Sequence, residues 1–220
     1  MVTADMTAQC CCASPAQRRR EKMRDSIIAA AQAIFTEEGE AGVSMRRLAD
    51  AIDYSPAALY KYFASKDDLF EAVREQFFER LLQRMDAASC GSGTVRELFE
   101  GCGRAYIETA LEEPGTYVMA MSRFGDDTAP VEGTFSYAAA ERLESMIAQG
   151  MQQGIIRQVD LGLAGKAVWA AVHGLAMLLI QIPQMPGGVA SEEKLSRDDM
   201  ICFHTDFIWR GLAAPEPASV

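Results

Sequence analysis

Apolar residues return every three or four positions through nearly the whole chain, and no run of alternating β-branched residues is bounded by hairpin signals. That period confines the chain to an all-α fold. With 220 residues and 49% apolar character, it can bury a full core, as one domain or as a small domain joined to a larger one. Nine helices are expected, without internal repeat.

Residues 1–16 read as a disordered tail ending at Pro15. A first helix is predicted from about Gln17 to Glu38, with Ile27, Ala31, Ile34 and Phe35 on one face and Gly39 as its stop. Ser44 can cap a second, short helix that turns Leu48, Ala49 and Ile52 inward. Asp53 and Tyr54 break it, and Ser55-Pro56 starts a third helix running through Phe63. Ser65 with Asp68 opens a fourth, from about Lys66 to Ala88. Further helices are predicted over about 94–111, 114–123, 129–153, 160–182 and 196–213, separated by Pro114, the 125–130 stretch, Gly154 and Pro186-Gly187-Gly188.

The net charge of −10 opposes any association with a polyanion unless positive charge is gathered locally. Residues 17–66 hold nine Lys or Arg against seven acids, whereas residues 67–220 hold twelve against twenty-three. The acidic excess therefore belongs to the body. Cys10, Cys11 and Cys12 are consecutive and Cys90, Cys102 and Cys202 scattered, so no metal-ligand or disulfide spacing and no cofactor fingerprint is visible. A reducing cytoplasm fits this usage, no export signal is evident, and the apolar run 167–182 is short for a membrane span. No membrane association is expected.

The stretch from Ser44 to Phe70 carries the functional information. Two short helices joined by a tight turn can cross only where a small residue sits between them. Ala49 occupies that place, with Ile52, Leu59 and Phe63 around it, in a helix-turn-helix layout. The pattern resembles the tetracycline-repressor (TetR) family, whose Leu-Tyr-x-(His/Tyr)-Phe-x-x-Lys fingerprint is met by Leu59, Tyr60, Tyr62, Phe63 and Lys66. Asp53 departs from it, standing where the family usually has glycine; Asp tolerates the left-handed backbone region better than most residues.

The resemblance implies a three-helix DNA-binding domain over 17–66 and a six-helix ligand-sensing and dimerisation domain over 67–215. It implies that Ser44, Tyr60, Tyr62 and Lys66 touch phosphates and that Arg46 reaches a base edge or nearby backbone. Ser55 caps the recognition helix, Ala57 and Ala58 offer only apolar contact to thymine methyls, and Lys61 shares specificity with Arg46. Arg18, Arg19 and Arg20 read either as a minor-groove arm or as a solvated helix end.

In the body, residues 167–180 are apolar around most of the helix, and the last helix carries Ile201, Phe207, Ile208, Trp209 and Leu212. These two helices resemble the family's dimerisation pair. A homodimer would set two recognition helices roughly 34 Å apart on a palindromic operator. Trp169-x-x-x-His173-Gly174 is similar to a Trp-His-Gly signature of one C-terminal subgroup. Its two side chains either line a cavity or form a hydrogen-bonded core pair beside a close-packing glycine. Met119, Phe124, Phe135, Met146 and Met177, with Trp169 and His173, are the residues expected around an adaptable apolar pocket for a small effector.

The implied function is therefore a ligand-responsive transcriptional regulator, a repressor by family precedent, and not an enzyme. His173 and His204 assemble no nucleophile-base or carboxylate constellation. The alternative is a thiol- or metal-responsive regulator using Cys10 to Cys12, although adjacent cysteines close a tetrahedral site poorly.

Overall fold

A computed structural model describes residues 14–89, 93–122, 131–184 and 195–215. Cys10 to Cys12, Phe124, and the predicted breaks at 125–130 and 186–188 lie outside the described residues. Among those described, the secondary structure is helical apart from one isolated antiparallel bridge between Ile156 and Ala213. The helices are α1 (Pro15–Gly42), α2 (Met45–Ala51), α3 (Pro56–Leu59), α4 (Lys66–Ser89), α5 (Val95–Glu112), α6 (Pro114–Met121), α7 (Phe135–Gln152), α8 (Leu161–Gln181) and α9 (Arg197–Leu212).

The chain divides into two compact units at Val73/Arg74, inside α4. The sequence reading set this boundary at residues 66/67. The difference arises because the first turns of α4 send Leu69, Phe70 and Val73 into the head, where Phe70 meets Phe35 edge-on.

In the head, α1 begins earlier than expected. Ser14 accepts the N–H of Gln17 while the Gln17 side chain accepts the N–H of Ser14, a reciprocal cap that makes Pro15 the first helical residue and not the end of a tail. At the other end Gly39 takes φ 69°, a conformation that only glycine adopts without cost, and breaks the helical path. Ile27, Ile28, Ala31, Ile34 and Phe35 form the buried stripe of α1 against α2. Leu48 and Ala49 are fully buried. Ile52, expected in the core, is only half-buried because it already belongs to the α2 cap.

α3 is shorter than predicted. Beyond Leu59 the bonds tighten toward i→i+3, with Lys61 N–H on Ala58 and Tyr62 N–H on Leu59, before Phe63 is buried. The turn ahead of it places Asp53 at φ 56°, in the left-handed region.

The body packs α5 against α8 and α9, and α7 against α8. α7 starts at Phe135, later than the predicted 129, because Thr134 supplies the N-cap by accepting the Tyr137 N–H. Gly154, at φ 71°, ends the turn after α7. Ile156 then packs onto Gly150, and Arg157 N–H and Ala214 N–H bond to the Leu212 and Ile155 carbonyls, tying the α7–α8 connection to the chain beyond α9. Among the described helices α8 alone is long and apolar enough to cross a membrane, but one of its faces packs against α5, α7 and α9.

Candidate nucleic-acid interface and body cavity

The two short helices of the head are built from their caps. Ser44 Oγ accepts the Arg47 N–H at 3.2 Å and Ser55 Oγ accepts the Ala58 N–H at 3.2 Å. Each hydroxyl thus satisfies a donor left over by its helix start. Arg46, Ala57, Tyr60 and Lys61 are exposed, while Ala58 and Tyr62 are half-buried. Arg46 and Lys61 have no side-chain hydrogen bond or ion pair among the described residues.

Several cations of the head hold the fold together. Arg47 is paired with Glu38 at 2.7 Å. Arg24 lies over the Phe63 ring, 4.3 Å from its centroid, and donates to the Tyr62 carbonyl at 2.6 Å. Arg20 donates to the Lys61 carbonyl at 3.4 Å. Carbonyls at the end of the recognition turn are thereby satisfied from α1. Arg18 to Arg20 lie in the first turns of α1.

Lys66 is placed differently from Arg46 and Lys61. Its Nζ donates to the Glu40 carbonyl at 2.8 Å, with the Glu40 carboxylate 3.9 Å away and the Phe70 ring centroid 5.4 Å away. A cation set against the last carbonyls of α1 complements that end of the helix. Lys66 is thus a strut within the head, a position that motif spacing alone does not reveal.

The body holds a partly open cavity of about 320 Å³ among α4, α5, α7, α8 and α9. Its wall is almost wholly apolar, with Phe78, Leu81, Phe99, Val168 and Ile208 among its residues. The charged members are Glu144 and Lys166, both exposed. Of the residues expected around a pocket, Met146 and Trp169 line it. Met119 is fully buried elsewhere, and Phe135, His173 and Met177 are not part of the wall.

His173 instead ends a buried polar chain. Trp169 Nε1–H donates to Tyr106 Oη at 3.1 Å, Tyr106 Oη and Tyr117 Oη are 3.1 Å apart, and Tyr117 Oη lies 2.6 Å from His173 Nδ1. Burial pushes the Tyr106 phenol up to about 12 and the Tyr117 phenol further, while it lowers the His173 imidazole, so all three are neutral near pH 7. Trp169 and Tyr106 belong to the cavity wall, and Tyr117 and His173 do not. Gly174, expected to permit close packing, has nothing within 4 Å of where a Cβ would stand.

Residues 27–73 match the family described as bacterial regulatory proteins, tetR family, and residues 99–193 match the tetracyclin repressor-like C-terminal domain. The repressor KstR of Mycolicibacterium smegmatis is 31% identical over 145 residues, 64% of this chain and 67% of that protein. The chain belongs to the TetR family. Among other TetR-like proteins, an uncharacterized HTH-type transcriptional regulator of Mycobacterium tuberculosis is 28% identical over 171 residues, 77% of this chain and 69% of that one. The structure of a TetR family transcription regulator from Marinobacter aquaeolei superposes with a TM-score of 0.68 at 20% identity, covering 90% of this chain and 99% of the other.

For this TetR-family chain, Tyr106 and Tyr117 are the residues that sequence reasoning missed. Two of the three body tyrosines, each in an apolar helix alongside a Trp-His pair, are the signal that would have pointed to a shared buried network.

Proposed function

We propose that this protein is a homodimeric, ligand-released transcriptional repressor that reads a palindromic operator through its head and senses a small, largely apolar effector in its body cavity. The observation that carries the reading is the head itself: capped short helices presenting Arg46, Lys61 and Tyr60 to solvent while the neighbouring cations Arg24, Arg47 and Lys66 are committed to the fold. Arg46 suits a base edge, the Ser44 and Ser55 hydroxyls and the tyrosines suit phosphates, and Ala57 and Ala58 suit thymine methyls. Such a protein acts on chromosomal DNA in the cytoplasm and needs no cofactor, metal or turnover.

Dimerisation is supported by an apolar face that no described residue of the protomer covers. Leu163, Ala167, Ala170 and Leu178 on α8 are exposed, and Phe203 and Phe207 on α9 stack at 6.3 Å while remaining 72% and 66% exposed. Gly174 and Gly211 meet open space on these helices. A face of this kind is costly on a monomer and suits a two-fold packing of α8 and α9.

Signal transmission follows from α4, which supplies Leu69, Phe70 and Val73 to the head core and Phe78, Leu81 and Met85 to the cavity wall. An effector that favours one setting of α4 changes the half-site spacing. A coupling of about 1–3 kcal/mol weakens operator binding about 5- to 150-fold. Selection from random duplexes with the purified protein tests the reading: enrichment of a palindrome with half-sites one turn apart is expected, and enrichment of no sequence contradicts it.

A further inference from the structure

The Ser136 and Thr205 hydroxyls of the cavity wall are engaged with Thr134 Oγ1 and the Ile201 carbonyl beside them, whereas the Trp169–Tyr106 hydrogen bond is the end of a longer relay. Tyr106 Oη has one proton and two lone pairs to share. One lone pair takes the Trp169 N–H. The direction of the remaining bonds is set at the far end, because His173 Nδ1 either accepts from Tyr117 or donates to it, according to the tautomer.

With Nδ1 as acceptor, Tyr117 donates to His173 and Tyr106 donates to Tyr117. Tyr106 then has only a lone pair to offer a ligand. With Nδ1–H as donor, the chain reverses, Tyr106 accepts from both Trp169 and Tyr117, and its own proton is free. The His173 ring is only half-buried, so the two tautomers can interchange through solvent. Every buried side-chain nitrogen and oxygen among the described residues has a partner, and in the second sense only the Tyr106 proton is left for a ligand acceptor to take.

Among the described residues, no charged side chain lines the inner wall. Glu144 and Lys166 are the charged lining residues and both are exposed, so an ionised ligand group placed beside Tyr106 would be desolvated without a counter-ion. We infer that the effector is an uncharged, largely apolar molecule bearing one hydroxyl or keto oxygen, held at Tyr106 by a relay whose direction His173 adjusts to either group. This rests on the reading that the cavity is the effector site.

The test is calorimetric titration of the full-length protein at pH 7, without DNA, using naphthalene, 2-naphthol, 1-tetralone, 2-naphthoate and 2-naphthylmethylammonium. The naphthol and the tetralone are expected to bind about tenfold more tightly than naphthalene, the size of one net hydrogen bond. Both ions are expected to bind more weakly than naphthalene. Tyr106→Phe is expected to bring naphthol and tetralone to the naphthalene value while naphthalene affinity is kept, which doubles as the folding control. Tyr117→Phe releases the Tyr106 proton from the relay and is expected to shift preference toward the tetralone, an effect that a purely structural role would not produce. Equal affinity of naphthalene and naphthol, preference for either ion, or binding of none of the five overturns the proposal. Operator release is scored separately: probes that discriminate as expected but leave DNA bound would contradict the effector reading and leave the Tyr106 anchor standing.

Discussion

The carboxylate of Glu75, on α4, accepts the backbone N–H groups of Phe135 at 2.5 Å and Ser136 at 3.1 Å, so one side chain of α4 caps the first turn of α7. Anionic oxygens at a helix N-terminus satisfy orphan donors and complement the helix dipole. Ser136, Ala139 and Met146 of α7 line the cavity, as do Phe78 and Leu81 of α4, so the cap joins two walls of the same chamber. Glu75→Gln removes the charge and is expected to cost about 1–2 kcal/mol in urea unfolding. Faster hydrogen exchange confined to the first turn of α7 is the accompanying signature.

Lys61 and Lys66 separate two roles for cations in the head. Lys61→Ala is expected to lower the slope of log affinity against log salt by about 0.9 per subunit, as loss of one phosphate contact does. Lys66→Met, which removes the strut to Glu40, is expected to leave that slope unchanged and to lower head stability by about 1 kcal/mol. A fall in slope for Lys66→Met equal to that for Lys61→Ala would assign Lys66 to the phosphate backbone instead.

At φ 56°, Asp53 stands in a conformation that glycine adopts more readily. Asp53→Gly is expected to raise stability by about 0.5 kcal/mol, and Asp53→Val to lower it by more than about 1 kcal/mol. Urea midpoints measured at constant slope check both.

Burial holds the folded His173 imidazole below its ordinary value of 6.5. The unfolded chain therefore binds the proton first, and the stability held above pH 6.5 falls as pH drops below that value toward the folded one. Replacing His173 with Gln is expected to flatten the unfolding free energy across that window. An unchanged pH profile would contradict the buried neutral histidine.

Much of the head was legible because local chemistry dominates there. Ser44, Ser55 and Ser65 each stand immediately before a helix and are read directly as starts, and Gly39 as a stop. Ser14 carries the same chemistry, but a proline that follows a run of small residues reads as readily as the end of a tail as it does as the start of a helix. The role of Lys66 was not legible, since nothing in the sequence announces the carbonyl of Glu40, 26 positions earlier, as a partner. In the body, periodicity shows which face of a helix is apolar but not which cavity it meets. Met146 and Trp169 line the chamber, while Met119 and Met177, equally apolar and equally helical, do not. The Tyr106–Tyr117–His173 chain joins residues 11 and 56 positions apart, separations that only packing sets.

The central claim is that a small cationic reading head, doubled by dimerisation, gives an otherwise acidic protein selective affinity for palindromic DNA. Titration of the selected palindrome and of its scrambled counterpart at physiological salt tests it most directly. Two chains per duplex and at least about 10³-fold preference for the palindrome are expected, with much of that preference lost in Arg46→Ala. Equal affinity for the two duplexes would contradict the account.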